Sequence, residues 1–222
     1  MSDKKVIGVV LSGSGYLDGA EIHEAVCALL ALDEAGVDVR IFAPDTELDE
    51  VDHLTSEPTG QKRNVLREAA RIARGQIADI KTVQGTDVDG WVLPGGFGAA
   101  KNLSTFATEG TSATADKDVA RVVREAFAAQ LPIGACCIAP ALLAVITKSS
   151  GPSLTLTIGS DEATAGSINS LGANHTDCAV ENIVVDEKNR VVTAPAYMYD
   201  ARISEVHAGI RKMVDQVVKW CD

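Results

Sequence analysis

Residues 134–140 read GACCIAP, and this stretch sets two thiols side by side, those of Cys136 and Cys137, which could hold a nucleophile or simply fill a core. They sit where an apolar run gives way to small residues and then a proline. A cysteine at such a strand-to-helix turn has the geometry of a nucleophile elbow, with backbone N–H groups close by. The start of the following helix presents its positive dipole end, which is expected to lower the thiol pKa and favour thiolate. Without that position a buried cysteine is simply a small hydrophobe. Strand side chains alternate between faces, so the two cysteines are expected to point opposite ways. Cys136 ends the strand pattern and reads as a packing residue. Cys137, at the turn before Pro140, reads as the nucleophile.

A thiolate needs a proton partner. Glu21 opens the first helix, and its carboxyl can reach the same crevice. Glu24, one turn on, shares much of that face and is its rival, whereas His23 points elsewhere. The loop PGGFG at residues 94–98 offers backbone N–H groups at a strand end, a possible oxyanion hole. It lacks the Gly-x-Gly-x-x-Gly spacing of a dinucleotide site and is not a phosphate loop, so no nucleotide is expected. The four histidines show no grouping with cysteine that would hold zinc. His175 reads as a surface or satisfied residue.

The elements that must position these groups follow from hydrophobic patterning. Residues 5–11 form a short β-branched run, residues 20–35 a helical pattern closed by Gly36, and residues 37–44 a second strand stopped by Pro44, giving a β-α-β opening. Residues 45–62 are polar and read as a surface excursion. A helix follows at 64–74, then a short strand over QIADIKTV and a stronger one over VDGWVLPGG that runs into a glycine-rich loop. Residues 116–130 have helical spacing, LPIGACC is the next buried strand, and Pro140 to Ile146 begins a helix. Beyond it come a strand in SLTLTIG, a helix over 161–171, two strands around a Glu-Lys-Asn turn in NIVVDEKNRVVTAPA, and a final helix over about 200–220. This describes one α/β domain over residues 1–222, with a mostly parallel central sheet and helices on both faces. In such sheets, sites form at the carboxyl ends of the strands.

The chain has 222 residues, 46% of them hydrophobic but only 4% aromatic, so aliphatic side chains must supply the core. A net charge of −11 argues against nucleic acid and anionic membrane as partners. No run approaches a membrane span, and no signal-peptide pattern is seen at the start. Five scattered cysteines read as free thiols of a reducing compartment.

Three of the quoted stretches, LPGGFGAAKNL, GACCIAPA and DGAEIHEAV, resemble the PfpI-like superfamily, relatives of the class I glutamine amidotransferases. SGSGYLDGAEIHEAV, RNVLREAARIARG, LTIGSD and NIVVDEKNRVVTAPAYM resemble, more narrowly, its ElbB branch, the isoprenoid-biosynthesis proteins. The resemblance covers essentially the whole chain. It implies a flavodoxin-like three-layer sandwich and a homodimer. It also implies a nucleophile at Cys137, an acidic partner at Glu21 with Glu24 as the second choice, and oxyanion donors at the N–H groups of Gly96 and Ile138. The chain departs from the superfamily pattern in two places. Peptidase-like members have a histidine directly after the nucleophile, where this chain has Ile138. Amidotransferases keep a Cys-His-Glu triad, whereas TAPAYMYDA has no histidine. A Cys–Glu pair without histidine suits the glyoxalase-like members. The expectation is therefore a cofactor- and metal-independent glyoxalase, of the lyase class. It would turn glyoxal or methylglyoxal into glycolate or lactate in the cytoplasm, or in the mitochondrial matrix of a eukaryote. The alternatives are a redox-sensing protein using the same thiol, or a deglycase or amide hydrolase.

Overall fold

A computed structural model describes residues 4–221. Its centre is a seven-stranded sheet built from β1 (Val6–Val10), β2 (Asp38–Ala43), β5 (Ala78–Asp79), β6 (Gly90–Leu93), β7 (Ile133–Cys136), β10 (Val184–Asp186) and β11 (Val191–Ala194). The strand order is β10-β11-β7-β6-β1-β2-β5. Every pairing is parallel except the hairpin of β10 with β11. The remaining elements are the hairpin β3 (Glu47–Val51) with β4 (Pro58–Asn64), the small parallel pair β8 (Thr155–Leu156) with β9 (Asn174–His175), and eight helices. The helices are α1 (Ile22–Glu34), α2 (Val65–Ile72), α3 (Phe97–Lys101), α4 (Phe106–Glu109), α5 (Lys117–Ala128), α6 (Ala139–Thr147), α7 (Glu162–Ser170) and α8 (Ile203–Cys221).

Period-two alternation sorts the central strands into two cores. Ile7, Val9, Val92, Cys136, Val192 and Ala194 face one side, where α1 and α8 cover them with Ala25, Ala28, Leu32, Val206, Ile210, Met213 and Val217. Val10, Trp91, Leu93, Ile133, Ala135 and Val191 face the other, under α5 and α6. This is the helix–sheet–helix sandwich of a flavodoxin-like fold. Gly8 is the one β1 residue without a side chain because Trp91 lies across it. A Cβ there would fall 2.5 Å from the indole ring.

The polar stretch after β2 differs from the expected excursion. It is the antiparallel hairpin β3–β4, tied by ion pairs of Lys62 with Asp49 and Arg63 with Glu50. Both of its faces carry charge, which hides the alternation that marks a half-buried strand. The strand expected in QIADIKTV shrinks to two residues followed by a 3-10 turn, and that expected in SLTLTIG likewise keeps only two. The glycine-rich loop after β6 passes at once into α3.

The chain runs from β1 outward to β2 and β5, then returns to β6 on the other side of β1. The order reverses between β1 and β6, and such a reversal opens a crevice at the carboxyl ends of the strands. Glycines close the crevice walls. Phe97 N–H donates to Tyr16 O (2.7 Å), Gly98 N–H to Gly19 O (2.9 Å) and Glu21 N–H to Gly95 O (3.0 Å), stitching the loop after β1 to the loop after β6. Gly96, at φ +91°, is required there, because a Cβ would lie 2.4 Å from Glu21 N and Gly19 O.

Candidate active site

Cys137 follows β7 directly and has φ +59°, a left-handed conformation that costs a non-glycine residue about 1–2 kcal/mol. Its own N–H donates to Ala194 O (2.9 Å), holding the turn against β11. Strand alternation would send Cys137 to the α5–α6 side. The left-handed turn instead returns it to the α1 side, into the same core as Cys136. The two thiols therefore converge, contrary to the expectation from alternation, and they converge on Glu24. Cys136 Sγ lies 3.9 Å from Glu24 Oε2, and Glu24 Oε2 and Cys137 Cβ both crowd the same side of Gly95, so the carboxyl stands beside both cysteines. Cys136 is fully buried, while Cys137 reaches the floor of a cleft of about 370 Å³.

Glu24 is fully buried in the first turn of α1. Its carboxyl accepts from Gly95 N–H (3.0 Å, Oε2) and from Tyr197 N–H (3.1 Å, Oε1). Tyr197 belongs to a 3-10 turn after β11, entered through Ala196 at φ +47°. The TAPAYM stretch, notable in the sequence only for lacking histidine, supplies a backbone donor to the buried acid. Glu21 has a different job. It is the N-cap of α1, its Oε2 accepting from Glu24 N–H at 2.7 Å, and it lines the cleft wall with no contact to either sulfur. His23 lies off the Cys137 cleft, beside the adjoining hollow. Its Nδ1 pairs with Tyr197 Oη at 2.9 Å on the rim. His175 is remote and satisfied, its Nε2 accepting from Ile158 N–H (3.2 Å).

Burial and then the nearby Glu21 charge push the Glu24 carboxyl up to about 7. The Cys137 thiol is pushed well above the usual thiol range by burial and by Glu24. The N–H groups of Gly96 and Ile138, which hydrogen-bond its sulfur, oppose that rise. The helix start alone was expected to lower this thiol, but desolvation beside a carboxylate outweighs it. The pair is best treated as one unit that holds a single negative charge with difficulty at neutral pH. The two N–H groups are available because Cys137 N–H is committed to β11 and Gly96 begins α3 without a side-chain cap. Among the described residues no three His, Cys, Asp or Glu groups are clustered as a metal site.

The parallel sheet, its crevice and the strained cysteine at a strand end place the chain among the class I glutamine amidotransferase-like α/β proteins. No family model matches the chain. It is 43% identical to the human glutamine amidotransferase-like class 1 domain-containing protein 3, mitochondrial, over 96% of this chain and 82% of the relative. It is 42% identical to the rat mitochondrial ES1 protein homolog, over 96% and 83%. A solved isoprenoid biosynthesis protein with an amidotransferase-like domain, from Ehrlichia chaffeensis, superposes with TM-score 0.92 at 36% identity. The match covers 98% of this chain and all of that one. Drosophila DJ-1beta shares the fold at TM-score 0.53 and 18% identity. The chain belongs to the family of ES1 and glutamine amidotransferase-like class 1 domain proteins.

Proposed function

We propose that the chain is a cofactor-independent glyoxalase, converting glyoxal to glycolate and methylglyoxal to lactate. One observation carries this reading: a buried carboxyl near neutral pKa, that of Glu24, stands beside a strained cysteine on a cleft floor. The sulfur of Cys137 adds to the aldehyde carbon, forming an S–C bond, while its S–H proton passes by way of Glu24 to the new alkoxide oxygen. The carbonyl electrons move to oxygen, where the N–H groups of Gly96 and Ile138 meet the charge. Glu24 takes the carbon-bound proton of the hemithioacetal, leaving an enediol, and returns a proton to the neighbouring carbon. The product is a thioester of the hydroxy acid on Cys137. Water hydrolyses it, releasing the acid and restoring the thiol.

We assign the base to Glu24 rather than Glu21, because the buried Glu24 carboxyl stands beside Cys137 while Glu21 is occupied as a helix cap. A carboxyl near pH 7 is matched to both taking and giving a proton. Cys136 is the packing residue in this reading. The test follows dicarbonyl loss and hydroxy-acid formation by proton NMR for the native chain and for Cys137→Ser. Equal rates end the proposal. Sulfinic acid formed selectively at Cys137 by mild peroxide, with no dicarbonyl loss, favours the redox-sensing reading instead.

The proposal includes a homodimer and a reducing compartment, the mitochondrial matrix in a eukaryote and the cytoplasm in a bacterium. The relatives' names specify mitochondria. No described helix is long and apolar enough to cross a membrane. The outer face of α1 supports pairing with a second copy: Ile22, Val26 and Leu30 form one stripe with 44–50% of each exposed. Sedimentation of the native chain and of Val26→Asp tests it, and a native monomer at micromolar concentration contradicts it.

A further inference from the structure

The Cys137 cleft is large for a three-carbon dicarbonyl. Its volume of about 370 Å³ falls within the range of pockets that hold drug-sized ligands. It shares Tyr16, Glu21, Tyr197 and Met198 with a second hollow of about 530 Å³, so the two form one continuous depression. The combined walls have a distinct chemistry. All three tyrosines of the chain line them, together with Phe97, and Tyr16 and Phe97 are each 46% exposed. Two phenol groups are already engaged, Tyr197 with His23 and Tyr199 as donor to Cys178 O at 2.9 Å, so these side chains offer rings more than hydroxyls. Between the rings stand three carboxyls, Glu21, Asp161 and Asp200, and no Lys or Arg is among the lining residues. Lys101 lies over the Phe97 ring at 5.0 Å and donates to Leu17 O, and it is not among the lining residues.

Aromatic side chains with carboxylates and no lysine or arginine, His23 being paired with Tyr197, are surroundings that favour a positively charged group over an anion. We propose that, beyond small neutral dicarbonyls, this site takes carbonyl substrates that carry a cation on an apolar body. A protonated amine, a guanidinium or a quaternary ammonium would serve, and carboxylated or phosphorylated carbonyl compounds are rejected. The inference rests on Cys137 as the reactive group and is independent of whether glyoxal turnover occurs.

The test uses three methanethiosulfonates that differ in charge: the trimethylammonioethyl, methyl and sulfonatoethyl reagents. In each, the Cys137 sulfur forms a disulfide bond to the reagent's sulfenyl sulfur. The S–SO₂ bond breaks, and methanesulfinate leaves with its electron pair. Rates at Cys137 are read by peptide mass spectrometry at about 0.15 M salt, where distant surface charge is screened. They are referred to the same peptide in the urea-unfolded chain. The cationic-to-anionic rate ratio is expected to exceed the unfolded reference by about tenfold or more. In Asp161→Asn, which keeps the N-cap of α7, the ratio is expected to fall about threefold. A ratio equal to the unfolded reference, or one unchanged in both Asp161→Asn and Asp200→Asn, overturns the inference even if glyoxal is turned over. A raised, aspartate-dependent ratio without dicarbonyl turnover upholds the inference while the glyoxalase reading falls. Failure of all three reagents to modify Cys137 overturns both.

Discussion

At the scale of the residue, the site is decided by which of two glutamates one helical turn apart meets the sulfur. The structure brings Glu24 to Cys137 and leaves Glu21 as a cap. Glu24→Gln is therefore expected to lower kcat by about a hundredfold or more, the usual span of acid–base catalysis. Glu21→Gln keeps an oxygen that accepts from Glu24 N–H, so Tm should stay near native, with kcat within about tenfold of native. The rate should also follow the pair's ionisation. Because Glu24 titrates near 7 and Cys137 well above the usual range, kcat/KM is expected to rise through pH 7 as the pair loses its first proton. A flat profile from pH 5 to 8 would contradict this. Cys137 was legible in the sequence because small residues and a proline after a buried strand mark an elbow. The choice between Glu21 and Glu24 was not, because it depends on where α1 begins. Glutamate is not a favoured N-cap, so nothing in residue type announced that Glu21 would take that role.

The element scale explains why both cysteines face the same acid. Alternation along β7 holds as far as Cys136, and the left-handed Cys137 then breaks it. Relieving that conformation should show in stability: Cys137→Gly is expected to be more stable than Cys137→Ala by about 1 kcal/mol in urea denaturation, although both are inactive. The loop after β6 is equally constrained. A Cβ on Gly95 would lie 2.4 Å from Cys137 Cβ and 2.8 Å from Glu24 Oε2, so Gly95→Ala should displace the pair and remove turnover. The β-α-β opening, the buried strands around Trp91 and Ile133 and the final amphipathic helix could all be read from periodicity. The β3–β4 hairpin could not, since charged residues stand on both of its faces and hide the alternation that buries Leu48. Nor could the donor from Tyr197, because a backbone N–H leaves no mark in residue type and is aimed only by the positive φ of Ala196.

At the scale of the whole molecule, parallel strands, their reversal beside β1 and the helices on both faces set a crevice where three strand ends meet. Composition and pattern carried that much. The lining of the crevice by all three tyrosines arises from loops far apart in sequence, which patterning does not connect. The buried acid also links the site to global stability. Its folded pKa of about 7 stands above the ordinary value of 4.5, so the folded state holds this proton more tightly than the unfolded chain. The resulting contribution is present in full below about pH 4.5 and is lost as pH rises through about 7, on the order of 3 kcal/mol in all. Chemical denaturation from pH 4 to 8 should thus show Glu24→Gln gaining on the native chain as pH rises. A constant difference would mean that Glu24 ionises as easily folded as unfolded. The most direct test of the account remains the turnover of methylglyoxal to lactate at pH 7.5 by the native chain, Cys137→Ser, Glu24→Gln and Glu21→Gln side by side. The account predicts lactate from the native chain and from Glu21→Gln, and almost none from the other two. Equal lactate from Glu24→Gln and the native chain, or none from any of the four, would contradict it.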